Sequence, residues 1–210
     1  MITFRITILA CCLAFAAACT SDDDAAATDQ DTGTTTEGAT TGEPATEGCS
    51  TEPGGLDIGD LVMDVDIRRC SGETVSLRQV ACGAAVTFID VGTASMGPCV
   101  EATKAYATAP EYVALKADGL QIVQVFRDDQ GGDPPTKSWC TQYAAQNEVD
   151  FEFLTDPFHQ TDAFDLTFPL YIVVGPDARI LDIWSHALNE VPTDRVPALR
   201  SLLDQANVTQ

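Results

Sequence analysis

Residues 85–99 read Ala-Val-Thr-Phe-Ile-Asp-Val-Gly-Thr-Ala-Ser-Met-Gly-Pro-Cys. The first part, Ala85–Val91, is a short, mainly apolar run rich in β-branched and aromatic residues. That pattern predicts a strand buried on both faces. A loop of small residues follows. Pro98 then starts a helix, because proline's missing N–H costs nothing at a first helical position. Strand, loop and helix therefore meet at a joint that carries Met96 and Cys99.

Working outward, the helical stretch is interrupted at Pro110 and is expected to end near Gly119. Leu120–Phe126 (LQIVQVF) is a second buried strand. Asp128–Pro135 is a loop, and Thr136 caps a helix running to about Asn147. Phe151–Leu154 is a short extended piece. Pro169–Val174, the Gly175–Ala178 turn and Arg179–Trp184 read as a hairpin. Val191–Gln205 closes the chain as a helix with Val196, Leu199, Leu202 and Leu203 on one face. Upstream, Met63, Val65 and Ile67 alternate with acids as a half-exposed strand. Ser71-Gly72 turns the chain into a short strand, Val75–Leu77. The order is a strand hairpin, then βαβα, then ββα. It predicts an α/β fold with a mixed central sheet flanked by helices.

This order, with the residues at its joints, resembles the thioredoxin-like fold of exported redoxins. These are relatives of the membrane-anchored thioredoxin-like reductases and of peroxiredoxins. Gly72-Glu73-Thr74-Val75-Ser76-Leu77 is similar to their N-terminal hairpin, and Val86–Val91 to their first core strand. Ser95-Met96-Gly97-Pro98-Cys99 falls where the family has Trp-Cys-Gly-Pro-Cys. Phe168-Pro169 resembles the family's cis-proline. The resemblance implies a substrate groove at Met96, Pro98 and Pro169, where an incoming chain pairs through its backbone.

Position 96 departs from the family. The first cysteine of its CxxC motif attacks, and the second resolves the mixed disulfide. A thioether has no proton to lose, so Met96 cannot attack a disulfide. Three readings of Cys99 remain. It is a reactive thiol activated by the helix N-terminus, with Cys140 as its catalytic partner. Or it is a peroxidatic cysteine, for which Gly92 and Met96 stand in place of the proline and threonine of the peroxiredoxin pattern. Or it is a buried small hydrophobe at a site that has lost activity. Residues 125–153 resemble glutathione-peroxidase-like proteins, which place a resolving cysteine in this helix; that resemblance supports Cys140.

The N-terminus reads as an address. Arg5 precedes an apolar run from Ile6 to Ala18, long enough for a signal peptide and too short to span a bilayer. Ala16-Ala17-Ala18-Cys19 resembles a bacterial lipoprotein signal, which implies cleavage after residue 18 and lipidation of Cys19. An ordinary cleaved signal is the alternative. Thr20, rather than Asp, after Cys19 favours the outer membrane by resemblance to sorting rules in some Gram-negative bacteria. Residues 19–55 then form the lipidated cysteine and an acidic Thr/Gly-rich tether. Positions 20–55 hold no Val, Ile, Leu, Met or aromatic residue, so they cannot offset chain entropy and should be disordered. Residues 56–210 are the folded domain.

Of the eight cysteines, cleavage and lipidation leave Cys49, Cys70, Cys82, Cys99 and Cys140. In an exported protein these should pair where geometry allows. Cys70 and Cys82 flank the short strand after the hairpin turn and are expected to form a structural disulfide. Cys99–Cys140 is the second candidate, with Cys49 left over.

The net charge of −21 argues against nucleic-acid binding. No CxxC or His-x-x-x-His spacing exists for zinc, so no metal is expected. His159 and His186 could serve a copper site only with a CxxxC motif, which is absent. The chain has neither a phosphate loop nor GxSxG, and no cofactor is implied. Trp139 and Trp184 read as packing, and Asp128-Asp129 as a solvated loop. Two functions remain: a thiol oxidoreductase or peroxidase-like enzyme acting on a protein thiol or disulfide, and a binding module that keeps the groove without turnover.

Overall fold

The computed structural model describes residues 49–164, 167–185 and 192–208. The signal segment, Cys19, the tether as far as residue 48, and His186 lie outside the described residues.

Strands β1 (Asp66–Arg69) and β2 (Thr74–Ser76) form the N-terminal hairpin. Helix α1 (Leu77–Ala81) follows directly, capped by the Ser76 hydroxyl, which accepts from Gln79 N at 3.1 Å. Here the structure differs from the expected Val75–Leu77 strand. Ser76 supplies an N-cap, so the chain turns helical at Leu77. Strand β3 (Val86–Gly92) leads to α2 (Gly97–Thr108) and α3 (Pro110–Ala117), which break at Pro110 as expected. Then come β4 (Leu120–Phe126), α4 (Lys137–Gln146), β5 (Glu152–Thr155), β6 (Leu170–Val174), β7 (Ile180–Ser185) and α5 (Val196–Val208). Thr136 caps α4, its hydroxyl accepting from Trp139 N at 3.2 Å.

These strands form one mixed sheet in the order β2-β1-β5-β4-β3-β6-β7. The central pairs β3–β4 and β4–β5 are parallel, and the outer pairs are antiparallel. This is the expected α/β fold. Alternation along β3 divides its side chains between two cores. Val86 and Phe88 pack with Ala102, Tyr106, Tyr112, Leu115, Leu199 and Leu203 from α2, α3 and α5. Ile89 and Val91 pack on the opposite face with Leu77 and Ala81 of α1.

The folded body begins earlier than residue 56. Cys49 is disulfide-bonded to Cys82, with Cα atoms 6.1 Å apart. Gly55 N donates to the Leu61 carbonyl at 2.9 Å. The buried Arg78 guanidinium donates to the carbonyls of Val62 (2.8 Å), Ser50 (3.1 Å) and Glu52 (2.6 Å). Hydrogen bonds from a charged donor contribute about 1.5–3 kcal/mol each. Residues 49–55 are thus part of the domain, although their composition reads as tether. Arg78 sits too far along the chain for local composition to reveal what it holds.

Candidate functional site

The loop from β3 to α2 carries the motif. Its backbone is pinned by Ala94 N, which donates to the Asp128 carbonyl at 3.0 Å. Thr93 and Ser95 share a hydroxyl hydrogen bond of 2.9 Å. Met96 is the N-cap of α2 and makes no side-chain cap bond, while Pro98 stands in the first turn. Cys99 N closes only a three-residue turn, onto the Met96 carbonyl at 3.1 Å.

Pro169 follows a cis peptide bond from Phe168. Its neighbour Leu170 pairs with Val91, so Pro169 lies where β3 passes into the motif loop. The Arg127 guanidinium covers the Phe168 ring at 4.4 Å from its centroid. Pro169 is buried, while Met96 and Pro98 are half-buried.

Cys99 is a free thiol and only 1 % exposed. A Cβ placed on Gly92 would stand 2.9 Å from its sulfur, so backbone walls it on that side. Burial pushes the Cys99 thiol up to about 12, and the charge of Asp90 pushes in the same direction. The helix N-terminus was expected to lower that value. It fails to do so because desolvation outweighs the effect of a helix terminus. At neutral pH Cys99 holds its proton and is not a nucleophile in this conformation.

Asp90 is a site residue that sequence reasoning passed over. Its carboxyl is fully buried on β3, facing α2, and burial raises it from 3.8 to about 7. Gln124, its register partner on β4, donates from Nε2 to Oδ2 at 2.8 Å. Gln124 Oε1 accepts from Thr103 Oγ1 at 2.9 Å. Thr103 Oγ1 also lies 3.0 Å from the Cys99 carbonyl and 3.1 Å from the Tyr143 hydroxyl. A buried polar chain therefore runs from Asp90 to the first turn of α2. The signal for it was one charged residue, Asp90, inside a buried strand, since a buried carboxyl requires partners.

The disulfide expectations need correction. Cys70 does not bond Cys82, and Cys140 does not bond Cys99. Cys70 bonds Cys140, with Cα atoms 5.2 Å apart, and Cys82 bonds Cys49. The reason is topological. Strand β1 pairs with β5, so the turn after β1 comes to lie beside α4, which precedes β5. Cys82, at the end of α1, instead meets the N-terminal segment held by Arg78.

Cys99, Cys140, Phe126, Tyr143 and Phe153 nevertheless share one apolar cluster, with Cys70, Met96 and Trp139 packed against it. Trp139 stacks on Tyr143 with ring centroids 5.0 Å apart, which agrees with a packing role. Trp184 packs on Phe88 at 6.4 Å. His159 pairs with Asp128 at 3.3 Å, so part of the Asp128-Asp129 loop is engaged rather than simply solvated. Among the described residues, no group of three His, Cys, Asp or Glu side chains is placed to hold a metal ion. No described helix is long and apolar enough to cross a membrane.

Neither the protein-family models nor the curated proteins contain a match to this chain. Solved structures do match it. The thioredoxin domain of a thiol-disulfide oxidoreductase from Bacteroides vulgatus has a TM-score of 0.54 at 17 % identity, covering 71 % of this chain and 99 % of that one. Peroxidoxin BcpB from Mycobacterium tuberculosis has a TM-score of 0.54 at 14 % identity, covering 72 % and 98 %. Peroxiredoxin Q from Xanthomonas campestris has a TM-score of 0.51 at 14 % identity, covering 68 % and 91 %. At these identities the likeness establishes the thioredoxin-like fold.

Proposed function

We propose that this chain is an exported redoxin-like protein, lipid-anchored at Cys19 on the cell envelope, that works as a binding module. Its partner is a protein segment, taken up in extended form beside Met96, Pro98 and the cis-proline Pro169. The acidic stretch before Cys49 holds the domain away from the membrane surface by charge repulsion along the spacer. The observation that carries this reading is the state of the motif. The attacking position is Met96, and the one motif thiol, Cys99, is buried and keeps its proton to about pH 12. Such a site has no thiolate, and what it keeps of the family pattern is the cis-proline beside the motif loop. An acidic domain also disfavours nucleic acid as the partner.

A second reading is thiol oxidoreductase or peroxidase-like activity through Cys99 with Cys140. It is favoured by one fact: Cys99 is free and lies in the same apolar cluster as Cys140. Alkylation separates the two. The folded chain is treated with iodoacetamide or hydrogen peroxide, and Cys99 is followed by peptide mass spectrometry. An unmodified Cys99, with labelling only after denaturation, supports the binding module. Prompt carbamidomethylation or oxidation of Cys99 in the folded state overturns it in favour of the enzyme.

A further inference from the structure

The two ends of the Cys70–Cys140 bond differ in exposure. Cys140 is fully buried, whereas Cys70 is half-buried and lines a surface cavity of about 280 Å³. Arg69 and Glu152 supply charged lining to that cavity, and Val149, Phe151 and Phe153 supply apolar lining. The volume is near the lower end of ligand pockets, about 300 Å³, and suits a single thiol-bearing group. Arg69 is held in place by Glu152 at 2.9 Å and Glu73 at 3.0 Å. These pairs fix the guanidinium at the cavity wall, where it is a hydrogen-bond donor for a carboxylate-bearing thiol.

We propose that Cys70–Cys140 is a thiol-exchange site, entered through this cavity by a thiol, RSH. The incoming thiolate attacks Cys70 Sγ, the sulfur on the cavity side. The S–S bond breaks, and the proton released by RSH ends on Cys140, giving RS–S–Cys70 and HS–Cys140. A second RSH attacks the sulfur of the bound R group and expels Cys70, which takes the released proton, giving RS–SR and HS–Cys70. The thiol compound is oxidised and the protein disulfide reduced. Unless that second thiol arrives, the Cys140 thiol attacks back, expels RSH and restores the bond. Cys99 takes no part, so the proposal stands apart from the binding-module reading. It shares Cys140 with the oxidoreductase reading, from which it differs in that label falls on Cys70 and not on Cys99.

The test uses the purified, folded full chain with reduced glutathione at pH 8, quenched with acid and mapped by peptide mass spectrometry. The expected result is glutathione or alkylating label on Cys70 while the chain stays folded. Cys140→Ser, exposed to oxidised glutathione, should hold a stable glutathione adduct on Cys70. Ser71→Trp fills the cavity mouth from an exposed turn. With an unchanged melting temperature it should slow reduction about tenfold, as expected where access limits exchange. A parallel arm with reduced thioredoxin separates the sources. Reduction by glutathione alone marks a small-thiol site, and reduction by thioredoxin marks a protein-thiol site. The proposal is overturned if the bond opens only in denaturant with both reagents. It is equally overturned if the adduct maps to Cys140, or if Ser71→Trp leaves the rate unchanged.

Discussion

Cys99 and the Cys70–Cys140 disulfide belong to one apolar cluster, yet they differ in what reaches them. Cys99 stands in the first turn of α2, where the resemblance to redoxins places a motif cysteine. It is walled by Gly92, desolvated, and opposed by the Asp90 carboxylate. Cys70 lies in a hairpin turn that no motif marks, and it borders a cavity. Motif position and access therefore separate in this fold: the motif thiol is walled off, and the disulfide outside the motif borders a cavity.

The sharpest way to break this contrast is to return a thiol to position 96. Met96 is the half-buried N-cap of α2, with no side chain capping the first turn. A cysteine there faces unpaired N–H groups and a helix dipole, and it escapes the burial that raises Cys99. Met96→Cys is expected to form a 96–99 disulfide. Its dithiol-dependent insulin reduction should rise on the order of a hundredfold above the wild-type background, because thiolate supply limits exchange. No gain in the turbidity assay would mean that the surroundings of the motif loop, and not the missing nucleophile, prevent turnover.

Next in size is the loss of either disulfide. Cys70–Cys140 closes 70 residues and Cys49–Cys82 closes 33. Chain-entropy arguments give about 4 kcal/mol for each, and less than about 1 kcal/mol between them. Urea unfolding of Cys70→Ser and Cys49→Ser should show similar losses. Only Cys49→Ser should also expose residues 49–55 to protease. Equal resistance of residues 49–55 in both variants would mean that the Arg78 bonds hold the segment without the disulfide.

The buried carboxyl gives a pH test of similar size. Asp90 titrates at about 7 when folded and near 3.8 when unfolded. Between these values the folded state keeps a proton that the unfolded state has released. Stability therefore falls as pH rises from about 4 to about 7, and the loss is complete above 7. The shift corresponds to roughly 4 kcal/mol at 1.36 kcal/mol per unit. Asp90→Asn is expected to flatten this slope and to be more stable than the parent at pH 8. Urea midpoints at pH 5 and pH 8 check it, and a slope that survives in Asp90→Asn would place the titration elsewhere.

Much of the fold was legible because it is written in local patterns. LQIVQVF matches β4 residue for residue, and the break at Pro110 and the Thr136 cap are where their chemistry puts them. Helix α1 was hidden in the short segment after Ser76, too brief to show a helical period. The disulfides were illegible for a different reason. Spacing along the chain measures loop length, whereas pairing depends on which strands become neighbours. β1 lies beside β5, and nothing in the spacing of Cys70 and Cys82 states that. Asp90 and Gln124 are register partners 34 residues apart, so their hydrogen bond also waits on topology. Met96, by contrast, is informative from the sequence alone, because it concerns what one side chain cannot do.

The smallest effect tests the wall around Cys99. Gly92 ends β3 with no side chain, and a Cβ there would meet Cys99 Sγ at 2.9 Å and Cys99 Cβ at 3.4 Å. The sulfur is fixed in a packed cluster and cannot swing aside freely. Overpacking of this kind costs about 1–3 kcal/mol. Gly92→Ala should therefore lower the urea midpoint, and it should do so less in a Cys99→Ala background, where the sulfur is gone. The two substitutions would then be non-additive, as expected for groups in contact. Additive losses would mean that Gly92 matters for its backbone alone and that the thiol is less confined. In that case Cys99 would label readily in the folded state, and the difference between the motif thiol and Cys70 would narrow.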